Sequence, residues 1–487
     1  MNLATVIESH DADRPALVSR GRVTTYGTLR AQAAQMRGAL AARGVQPGDR
    51  VAIVAANNWY FVAAYLAVLG AGAVAVPLNP QSPAAEVESE LRAVGARLAL
   101  VGPTGRRVAE AVDDIATLPD FLGAVPVPDL LDGDPVPVAE RGPDDVAVLL
   151  FTSGTAGAPR PAMLTHGNLL ANIEQILANP ERPTGADEVV LGVLPLFHVY
   201  GLNATLGLAL HVGGTVVLVE RFDPHSTLAA LSEHRVTVVS GVPTMWTAWA
   251  ELLDAPPDAM ATVRLAVSGA APLGPGVRDR MRERFGVNLT EGYGLTEASP
   301  AVTAGLGHDA PDCSIGVPLP GVSVRLVDGS GEDALVGDPG EIWVKGPNVF
   351  PGYWQDDEAT RAALTDDGWL RTGDVAVVDD AGFLSLVDRA KDVVIVSGFN
   401  VFPAEVEDVL GQHPAVVAAA VVGVPHPHTG EAVRALVVTD PEAHVDADEL
   451  IDFTGHHLAR YKCPSTVEFV DRLPHTVMGK VLRRALR

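Results

Sequence analysis

The sequence predicts an α/β protein with a layered N-terminal part and a smaller C-terminal part. Three observations support this prediction. Apolar residues at helical spacing alternate with short apolar runs up to residue 268, short alternating runs fill residues 316–387, and a smaller unit of helices and strands follows residue 389. Regular alternation of helices and strands is typical of a sheet with helices on its faces.

The first predicted helix has Leu29, Ala33, Met36 and Leu40 at helical spacing, and Gly44 ends it. Further predicted helices span residues 59–69 and 84–94. The predicted strands of this part are 51–55, 73–76, 98–101, 146–151, 189–194, 216–219, 236–240 and 265–268.

Residues 61–78 carry no charge and just reach the length of a membrane span. Gly70 and Gly72 interrupt this stretch, and Pro77 ends its apolar run. We therefore predict a helix, a turn and a buried strand here, and no integral membrane span.

Residues 316–388 are predicted to form a mostly antiparallel β subdomain, because short strand-like runs lie between glycine, aspartate and proline turns. The C-terminal part is predicted to be α+β, with helices at 404–410 and 447–458 and strands at 416–422 and 432–438. The charged residues 388–392 mark a possible hinge. We expect an N-terminal domain over 1–388 and a C-terminal domain over 389–487.

Composition narrows the function classes. The 487 residues carry a net charge of −25, which argues against a nucleic-acid groove, and the acidity is explained most simply by solubility. The two cysteines, Cys313 and Cys463, have no metal-like spacing and fit a reducing compartment. The first 14 residues lack the apolar segment of a signal peptide, so we expect a cytoplasmic protein.

A glycine-containing loop before Arg160 has the composition of a polyphosphate site. An apolar strand precedes it and a helix capped by Thr165 follows, so we expect the loop to join a strand to a helix. Gly154 and Gly157 allow backbone N–H groups to turn toward an anion, and Arg160 adds a fixed positive charge. The predicted phosphate-binding residues are Thr152, Ser153, Gly154, Thr155, Ala156, Gly157 and Arg160. The alternative is an ordinary polar loop.

Two further stretches could bind a nucleotide. The strand 265–268 ends in the small residues Gly269, Ala270 and Ala271, which allow a flat group to approach or simply pack tightly. The motif at 291–297 supplies a second set. Its candidate residues are Gly292, Tyr293, Gly294, Thr296 and Glu297. In this motif the tyrosine could stack on a base, the threonine could bond a phosphate, and the glutamate could hold Mg²⁺. The alternative is a turn with a surface tyrosine.

Two charged residues complete the set. Asp374 follows a Thr-Gly pair and could accept hydrogen bonds from both hydroxyls of a ribose, although a lone Gly-Asp is more often a turn. Lys480 follows a glycine near the C-terminus, where a solvated lysine is the common case.

Together these stretches resemble the adenylate-forming superfamily of acyl-CoA synthetases, luciferases and peptide-synthetase adenylation domains. The resemblance covers nearly the whole chain, with five motifs in the family's order. The C-terminal stretches 396–403, 460–464 and 467–474 are most similar to bacterial fatty acyl-CoA synthetases. The family fold has a large N-terminal domain of two α/β sheets and a small β-barrel, capped by a mobile C-terminal domain.

The resemblance implies a role for each matching residue. The glycine-containing loop binds the β- and γ-phosphates, while Gly269 to Ala271 and Tyr293 flank the adenine. Thr296 touches the α-phosphate and Glu297 binds Mg²⁺. The remaining implied roles are ribose binding by Asp374 and Arg389, a bridge between the acyl carboxylate and the α-phosphate by Lys480, a hinge at Lys391, and a CoA channel along Ser397, Gly398 and Phe399. His198 closes the acyl pocket, or it is a packed core residue.

The loop departs from the family pattern at three positions. Ala156 stands where the family usually has threonine, Arg160 where it has lysine, and Pro161 where it has glycine. Arginine keeps the charge but is wider and forked, and proline removes an N–H donor. We therefore expect a reduced ATP affinity or turnover.

The resemblance implies an ATP- and Mg²⁺-dependent acyl-CoA synthetase, an acid–thiol ligase. It would activate a medium- or long-chain fatty acid as an acyl-adenylate and transfer it to CoA, releasing AMP and pyrophosphate. The alternatives are an acyl- or aryl-adenylate ligase with another acid or acceptor, or a non-catalytic nucleotide-binding protein. An oligomer is possible. Residues 202–210, 241–249 and 269–271 are predicted to line an apolar pocket, in which Trp246 and Trp249 either shorten the tunnel or pack in the core.

Overall fold

The computed structural model describes most of the 487 residues. The described ranges are 1–105, 120–152, 160–179, 185–274, 276–307, 310–311, 313–389, 392, 394–396, 399–426, 429–441, 443–476 and 481–486, with the backbone only at 388, 389, 399, 400 and 484.

The chain divides into two compact units. The large unit comprises Met1–Ala310, Gly316–Ser323 and Val344–Leu370. The small unit comprises Pro311–Ile315, Val324–Trp343 and Arg371–Arg487.

The strands are β1 Pro15–Ser19, β2 Arg22–Thr25, β3 Arg50–Val54, β4 Val74–Leu78, β5 Leu98–Val101, β6 Ala124–Pro126, β7 Val146–Thr152, β8 Arg160–Thr165, β9 Val189–Gly192, β10 Thr215–Leu218, β11 Val238–Gly241, β12 Leu265–Ser268, β13 Leu289–Gly294, β14 Ala301–Ala304, β15 Ser314–Pro318, β16 Ser323–Val327, β17 Gly340–Lys345, β18 Leu370–Val378, β19 Leu384–Arg389, β20 Val394–Val396, β21 Phe399–Val401, β22 Val416–His426, β23 Gly430–Thr439 and β24 Thr466–Phe469.

The α-helices are α1 Tyr26–Ala42, α2 Trp59–Gly70, α3 Ala84–Val94, α4 His166–Leu177, α5 Leu208–Val212, α6 Pro224–Glu233, α7 Pro243–Glu251, α8 Val277–Phe285, α9 Asp357–Ala363, α10 Pro403–Gly411 and α11 Ala447–His457. A π-helix, Tyr200–Gly207, leads into α5. The strong apolar periodicities are thus helices, and the short apolar runs are strands, which confirms the α/β class.

The first sheet of the large unit contains parallel strands in the order β13-β12-β11-β9-β10-β1. At the two sides of this parallel array, β14 pairs antiparallel with β13, and β2 pairs antiparallel with β1. Because the six strands run the same way, their carboxyl ends lie along one edge, where α/β proteins commonly bind ligands.

The second sheet of the large unit has the order β6-β5-β3-β4-β7-β8 among the described strands. Its strands are parallel except β8, which pairs antiparallel with β7. The sequence predicted that the loop after β7 leads to a helix, and this was wrong. The loop joins β7 to β8, and α4 begins only at His166. Thr165 caps that helix as predicted, because its hydroxyl accepts the Asn168 N–H at 3.0 Å.

The stretch 61–78 is helix α2, a turn and strand β4, as predicted. Within the described part of the chain, no helix is both long and apolar enough to cross a membrane.

The small unit holds strands β18 and β19 as an antiparallel pair and a separate sheet ordered β21-β20-β23-β22, with β24 parallel to β23. An apolar core lies between this separate sheet and the helices α10 and α11, and includes Val406, Leu410, Val421 and Leu450. This α+β arrangement follows the predicted elements of the C-terminal part. The predicted domain boundary at 388/389 stays a prediction.

Candidate active site

The predicted residues of the large unit follow the carboxyl ends of neighbouring parallel strands. His198 comes after β9, Gly269 to Ala271 after β12, and Tyr293 to Glu297 at the end of β13. Strand β11 ends between β9 and β12 in the sheet. The parallel topology therefore brings together stretches that lie up to 99 positions apart in sequence (198 to 297).

The loop after β9 is held by a residue that the sequence analysis missed. Buried Asn57, which follows β3 of the other sheet, donates from its amide to the carbonyls of Gly192 and Leu194 at 3.0 and 2.7 Å. Its Oδ1 accepts the Leu196 N–H at 3.1 Å. Asn57 therefore sets the position of the segment that carries His198.

His198 is half-buried at the start of the π-helix region. Its Nδ1 accepts the Tyr200 N–H at 3.3 Å. Because Nδ1 is used as an acceptor, the neutral ring carries its proton on Nε2, which is then a hydrogen-bond donor. The two predicted roles of His198, closing an acyl pocket or packing in the core, both stay predictions.

Tyr200 is a second residue that the sequence analysis did not single out. Its hydroxyl lies 3.4 Å from the Val267 carbonyl, and its ring is so close to Gly269 that an added Cβ would lie 3.1 Å from it. Burial raises the pKa of Tyr200, and a hydrogen bond with Ser240 opposes the rise. The phenol is therefore protonated and lies beside the ends of β11 and β12.

The two faces of β12 differ in exposure. Val267 is half-buried although it lies in a central strand, and its register partners Ser240 and Thr290 share its face. On the other face, Ser268 is 1% exposed, and its partner Gly241 contacts the fully buried indole of Trp246. The accessible face is thus the Tyr200 face, and the structure supports the packing alternative for Trp246.

The segment 269–273 is contacted by Glu291, the first residue of the 291–297 motif, for which the sequence predicted no role. The buried Glu291 carboxylate accepts the Leu273 N–H at 3.1 Å and pairs with Arg278 at 2.9 Å. Ala270 has φ +72°, a conformation that an L-residue adopts only when its surroundings require it. The Glu291 carboxylate therefore joins the end of the predicted adenine segment, at Leu273, to Arg278 of α8.

Tyr293 lies between two glycines that permit close backbone approach. An added Cβ would lie 3.0 Å from the Thr303 carbonyl at Gly292 and 2.3 Å from the Pro300 carbonyl at Gly294. Tyr293 itself is 8% exposed and lies on the Glu291 face of β13. The glycines are thus required by the pairing with β14 and the turn that follows.

Glu297 lies in a short 3₁₀ turn, Thr296–Ala298, directly after β13. Its Oε1 accepts a hydrogen bond of 2.7 Å from the Tyr353 hydroxyl, and its carbonyl accepts the Phe350 N–H at 2.8 Å. Burial, and then the neighbouring carboxylate, raise the pKa of Tyr353, so its phenol is a donor. Thr296 and Glu297 are both half-buried at the sheet edge.

Thr152 and Arg160 are the described ends of the phosphate loop. The Thr152 hydroxyl donates to the Arg160 carbonyl at 3.3 Å, and the Arg160 Nε lies 3.0 Å from a carboxylate oxygen of Asp356. The loop residues Ser153, Gly154, Thr155, Ala156 and Gly157 lie outside the described residues.

In the small unit, the two predicted ribose residues Asp374 and Arg389 are backbone register partners on β18 and β19. The Asp374 N–H donates to the Thr372 hydroxyl at 3.1 Å. The backbone of Phe399 begins β21. Lys391, Ser397, Gly398 and Lys480 lie outside the described residues.

Comparison with known proteins identifies the family. The AMP-binding enzyme family matches residues 4–354, and its C-terminal domain matches residues 405–480. The chain belongs to this family. The adenylate-forming superfamily that the motifs indicated is therefore confirmed.

Three relatives illustrate the range of the family. A feruloyl-CoA synthase of an Amycolatopsis species is 41% identical over 96% of this chain and 94% of its own length. A long-chain-fatty-acid–CoA ligase of Yersinia pestis is 37% identical over 98% of this chain and 92% of its own. The crystal structure of ATP-bound MatB from Rhodopseudomonas palustris superposes with a TM-score of 0.94 at 33% identity, covering 100% of this chain and 98% of that one. This likeness confirms the predicted fold class.

Proposed function

We propose that this member of the AMP-binding family is an ATP- and Mg²⁺-dependent acid–CoA ligase that forms an acyl-adenylate and transfers the acyl group to CoA. The observation that carries the proposal is the convergence of His198, Tyr200, Gly269, Thr296 and Glu297 at one edge of the parallel sheet. The relatives named above support it, since two of them are CoA ligases or synthases by name.

The first step joins two anions. A carboxylate oxygen attacks the α-phosphorus of ATP, the bond to the β-phosphate oxygen breaks, and pyrophosphate leaves. Positive charge is needed where negative charge develops, and we propose that Arg160 and Lys480 supply it. A carboxylic acid presented near His198 would accept its Nε2–H, which orients the attacking group.

Glu297 fits a magnesium site. Mg²⁺ prefers oxygen ligands and is commonly held by one or two carboxylates together with phosphate oxygens and water, so one carboxylate is enough. Bound there, Mg²⁺ would neutralise phosphate charge during the displacement.

The second step needs a thiol in place of the leaving pyrophosphate. The CoA thiol attacks the acyl carbonyl carbon, and AMP leaves. We propose that the C-terminal domain, residues 389–487, moves between the steps about Lys391. This motion would withdraw Lys480 and bring Ser397, Gly398 and Phe399 to the thiol path. A closed arrangement also excludes water from the reactive mixed anhydride.

The first candidate acid is a medium- or long-chain fatty acid. The accessible face beside β12 presents Val267, and the neighbouring π-helix is mostly apolar, which suits a hydrocarbon body. The 37% identical long-chain-fatty-acid–CoA ligase supports this candidate.

A hydroxylated aryl acid is the second candidate. This candidate is favoured by the hydroxyls of Tyr200 and Ser240. Each hydroxyl could donate a hydrogen bond to a hydroxyl group on the aryl ring, or accept one from it. The feruloyl-CoA synthase relative at 41% identity supports it as well. We also propose a cytoplasmic location, consistent with free cysteines at positions 313 and 463.

Pyrophosphate release tests the proposal. The protein is incubated with ATP and Mg²⁺ and a panel of fatty acids, ferulate and unsubstituted aryl acids, with and without CoA, beside Lys480→Ala. We expect release that requires an acid, increases with CoA and is lost in the variant. The acid with the highest kcat/KM decides between the two candidates. ATP binding by calorimetry without release for any acid would instead indicate a non-catalytic nucleotide-binding protein. Accumulation of adenylate despite CoA would indicate another acceptor.

A further inference from the structure

The segment 348–356 of the large unit contacts the turn that carries Glu297. Phe350 donates its N–H to the Glu297 carbonyl at 2.8 Å, and the Asn348 amide donates to the Ala298 carbonyl at 2.8 Å. The Tyr353 hydroxyl donates to Glu297 Oε1 at 2.7 Å. The segment therefore holds both the backbone and the side chain of this glutamate.

The same segment contacts β8, which begins where the phosphate loop ends. The Trp354 N–H donates to the Pro161 carbonyl at 2.8 Å, and the Gly352 carbonyl accepts the Met163 N–H at 3.0 Å. Asp356 pairs with the Arg160 Nε at 3.0 Å. One short segment thus links the loop of the six-stranded sheet to the turn of the parallel sheet.

The segment is held in a defined conformation. Gly352 has φ +142°, and an added Cβ would lie 2.5 Å from the Thr360 side chain, so another residue would not fit there. Thr360 Oγ1 accepts the Tyr353 N–H at 2.9 Å. Asp356 caps α9 through Oδ1, which accepts the Ala359 N–H at 2.9 Å, while its Oδ2 faces Arg160.

An arginine at position 160 can satisfy Asp356 and a phosphate at the same time. The guanidinium carries five N–H donors in a rigid fork, and Asp356 lies at the Nε edge. Because the guanidinium is planar, the contact between Asp356 and Nε also fixes the directions in which the two terminal nitrogens of Arg160 donate hydrogen bonds. A lysine has a single ammonium at the end of a flexible chain, so its position would not be fixed by Asp356 in this way.

We propose that Tyr353 and Asp356 are positioning residues for nucleotide binding: Tyr353 orients the Glu297 carboxylate toward Mg²⁺, and Asp356 orients Arg160 toward the triphosphate. This inference rests on the proposed function, since it assigns the metal to Glu297 and the phosphates to Arg160. It predicts that replacing Tyr353 weakens ATP binding only when Mg²⁺ is present. Replacing Asp356 should weaken ATP binding in the absence of Mg²⁺ as well.

Calorimetric titration with ATP in the absence of any acid tests the role of Tyr353 without turnover. Wild type, Tyr353→Phe and Glu297→Gln are each titrated with excess Mg²⁺ and with EDTA. In the presence of Mg²⁺, we expect Tyr353→Phe to weaken ATP binding about tenfold, because removing the hydrogen-bond partner of a metal ligand typically has an effect of this size. In EDTA, ATP binding should be unchanged. Glu297→Gln should lose the metal dependence altogether.

Tyr26→Phe is the matched control, because Tyr26 also buries a hydroxyl that donates a 2.7 Å hydrogen bond, to the Gly214 carbonyl, away from the candidate site. It should leave the ratio of affinities with and without Mg²⁺ unchanged. If Tyr353→Phe keeps the wild-type ratio as well, the role of Tyr353 is refuted. If wild type binds ATP equally with and without Mg²⁺, both this role and the proposed metal site are overturned.

A double-mutant cycle in EDTA tests Asp356. Asp356→Asn retains an oxygen to cap α9 but removes the charge that pairs with Arg160. We expect it to weaken ATP binding several-fold in wild type and not in an Arg160→Ala background. An equal effect in both backgrounds would contradict the positioning of Arg160 by Asp356, while leaving the proposed ligase activity intact.

Discussion

The two faces of the parallel sheet at the ends of β11 and β12 are built from similar residue types but differ in packing. On one face, the Trp246 indole is fully buried against Gly241 and lies in an edge-to-face pair with Trp249, with ring centroids 5.2 Å apart. On the other face, Val267 and Tyr200 keep accessible surface.

This difference shows that composition alone does not identify a binding pocket. Trp246 and Tyr200 are both aromatic residues that follow a strand of the same sheet. Because side chains alternate between the faces of a strand, one register position separates Ser240, on the accessible face, from Gly241, on the packed face. The packed face stabilises the sheet, and the accessible face is the one on which we propose that the acid binds.

The largest expected effect is on the packed face. Trp246→Ala should lower the free energy of unfolding by about 3–5 kcal/mol, because it removes a fully buried large side chain. The shift of the urea unfolding midpoint measures this. The ranking of acids by kcat/KM should stay that of wild type. A preference for longer acids would show that Trp246 is the pocket floor and that the two faces have been assigned the wrong way round.

The second effect concerns the accessible face. Val267→Phe should reduce kcat/KM for the best acid roughly a hundredfold, because the larger ring occupies space beside Tyr200 that the acid needs. ATP affinity measured by calorimetry should be unchanged, which also shows that the variant is folded. Unaltered kinetics would mean that the acid binds elsewhere.

The smallest effects come from a matched pair of glycines, neither of which has a positive φ. In Gly241→Ala the new Cβ would lie 2.9 Å from the Trp246 indole nitrogen, and in Gly269→Ala it would lie 3.1 Å from the Tyr200 ring. We expect Gly241→Ala to lower stability by about 1–3 kcal/mol with wild-type kinetics. Gly269→Ala should raise KM for the acid several-fold at nearly wild-type stability. The same response in both variants would remove the distinction between the faces.

The sequence predicted most of the elements because their apolar periods are strong. The α3 and β12 bounds agree with the prediction, and the Thr165 cap is found. Strand β8 was missed because residues 160–165 are few and include Pro161, which reads as a turn residue. Its partner β7 and the segment 352–354 provide the pairing that makes it a strand.

The candidate site was predicted in part. His198, Gly269, Thr296 and Glu297 were predicted, and they follow the ends of parallel strands. Four residues that contact these residues or the segments that carry them, namely Asn57, Tyr200, Glu291 and Tyr353, were not assigned a role. Asp356, which pairs with Arg160, was not assigned one either. They lie in other elements and act through contacts across the fold, and a single sequence carries no signal for such contacts. The one local clue was Glu291, a charged residue directly before the Gly-Tyr-Gly stretch of β13.

By itself, the sequence determined the α/β class, the order of most helices and strands, and the residue types that can bind a nucleotide. These depend on local periodicity, caps and short motifs, which are properties of neighbouring residues. Tertiary structure decided which aromatic residue faces the accessible side of the sheet, that the strands β7 and β8 on either side of the phosphate loop pair antiparallel, and that Tyr353 and Asp356 contact Glu297 and Arg160. These depend on strand register and on pairs of residues far apart in the chain, which acquire a defined distance only when the chain is folded.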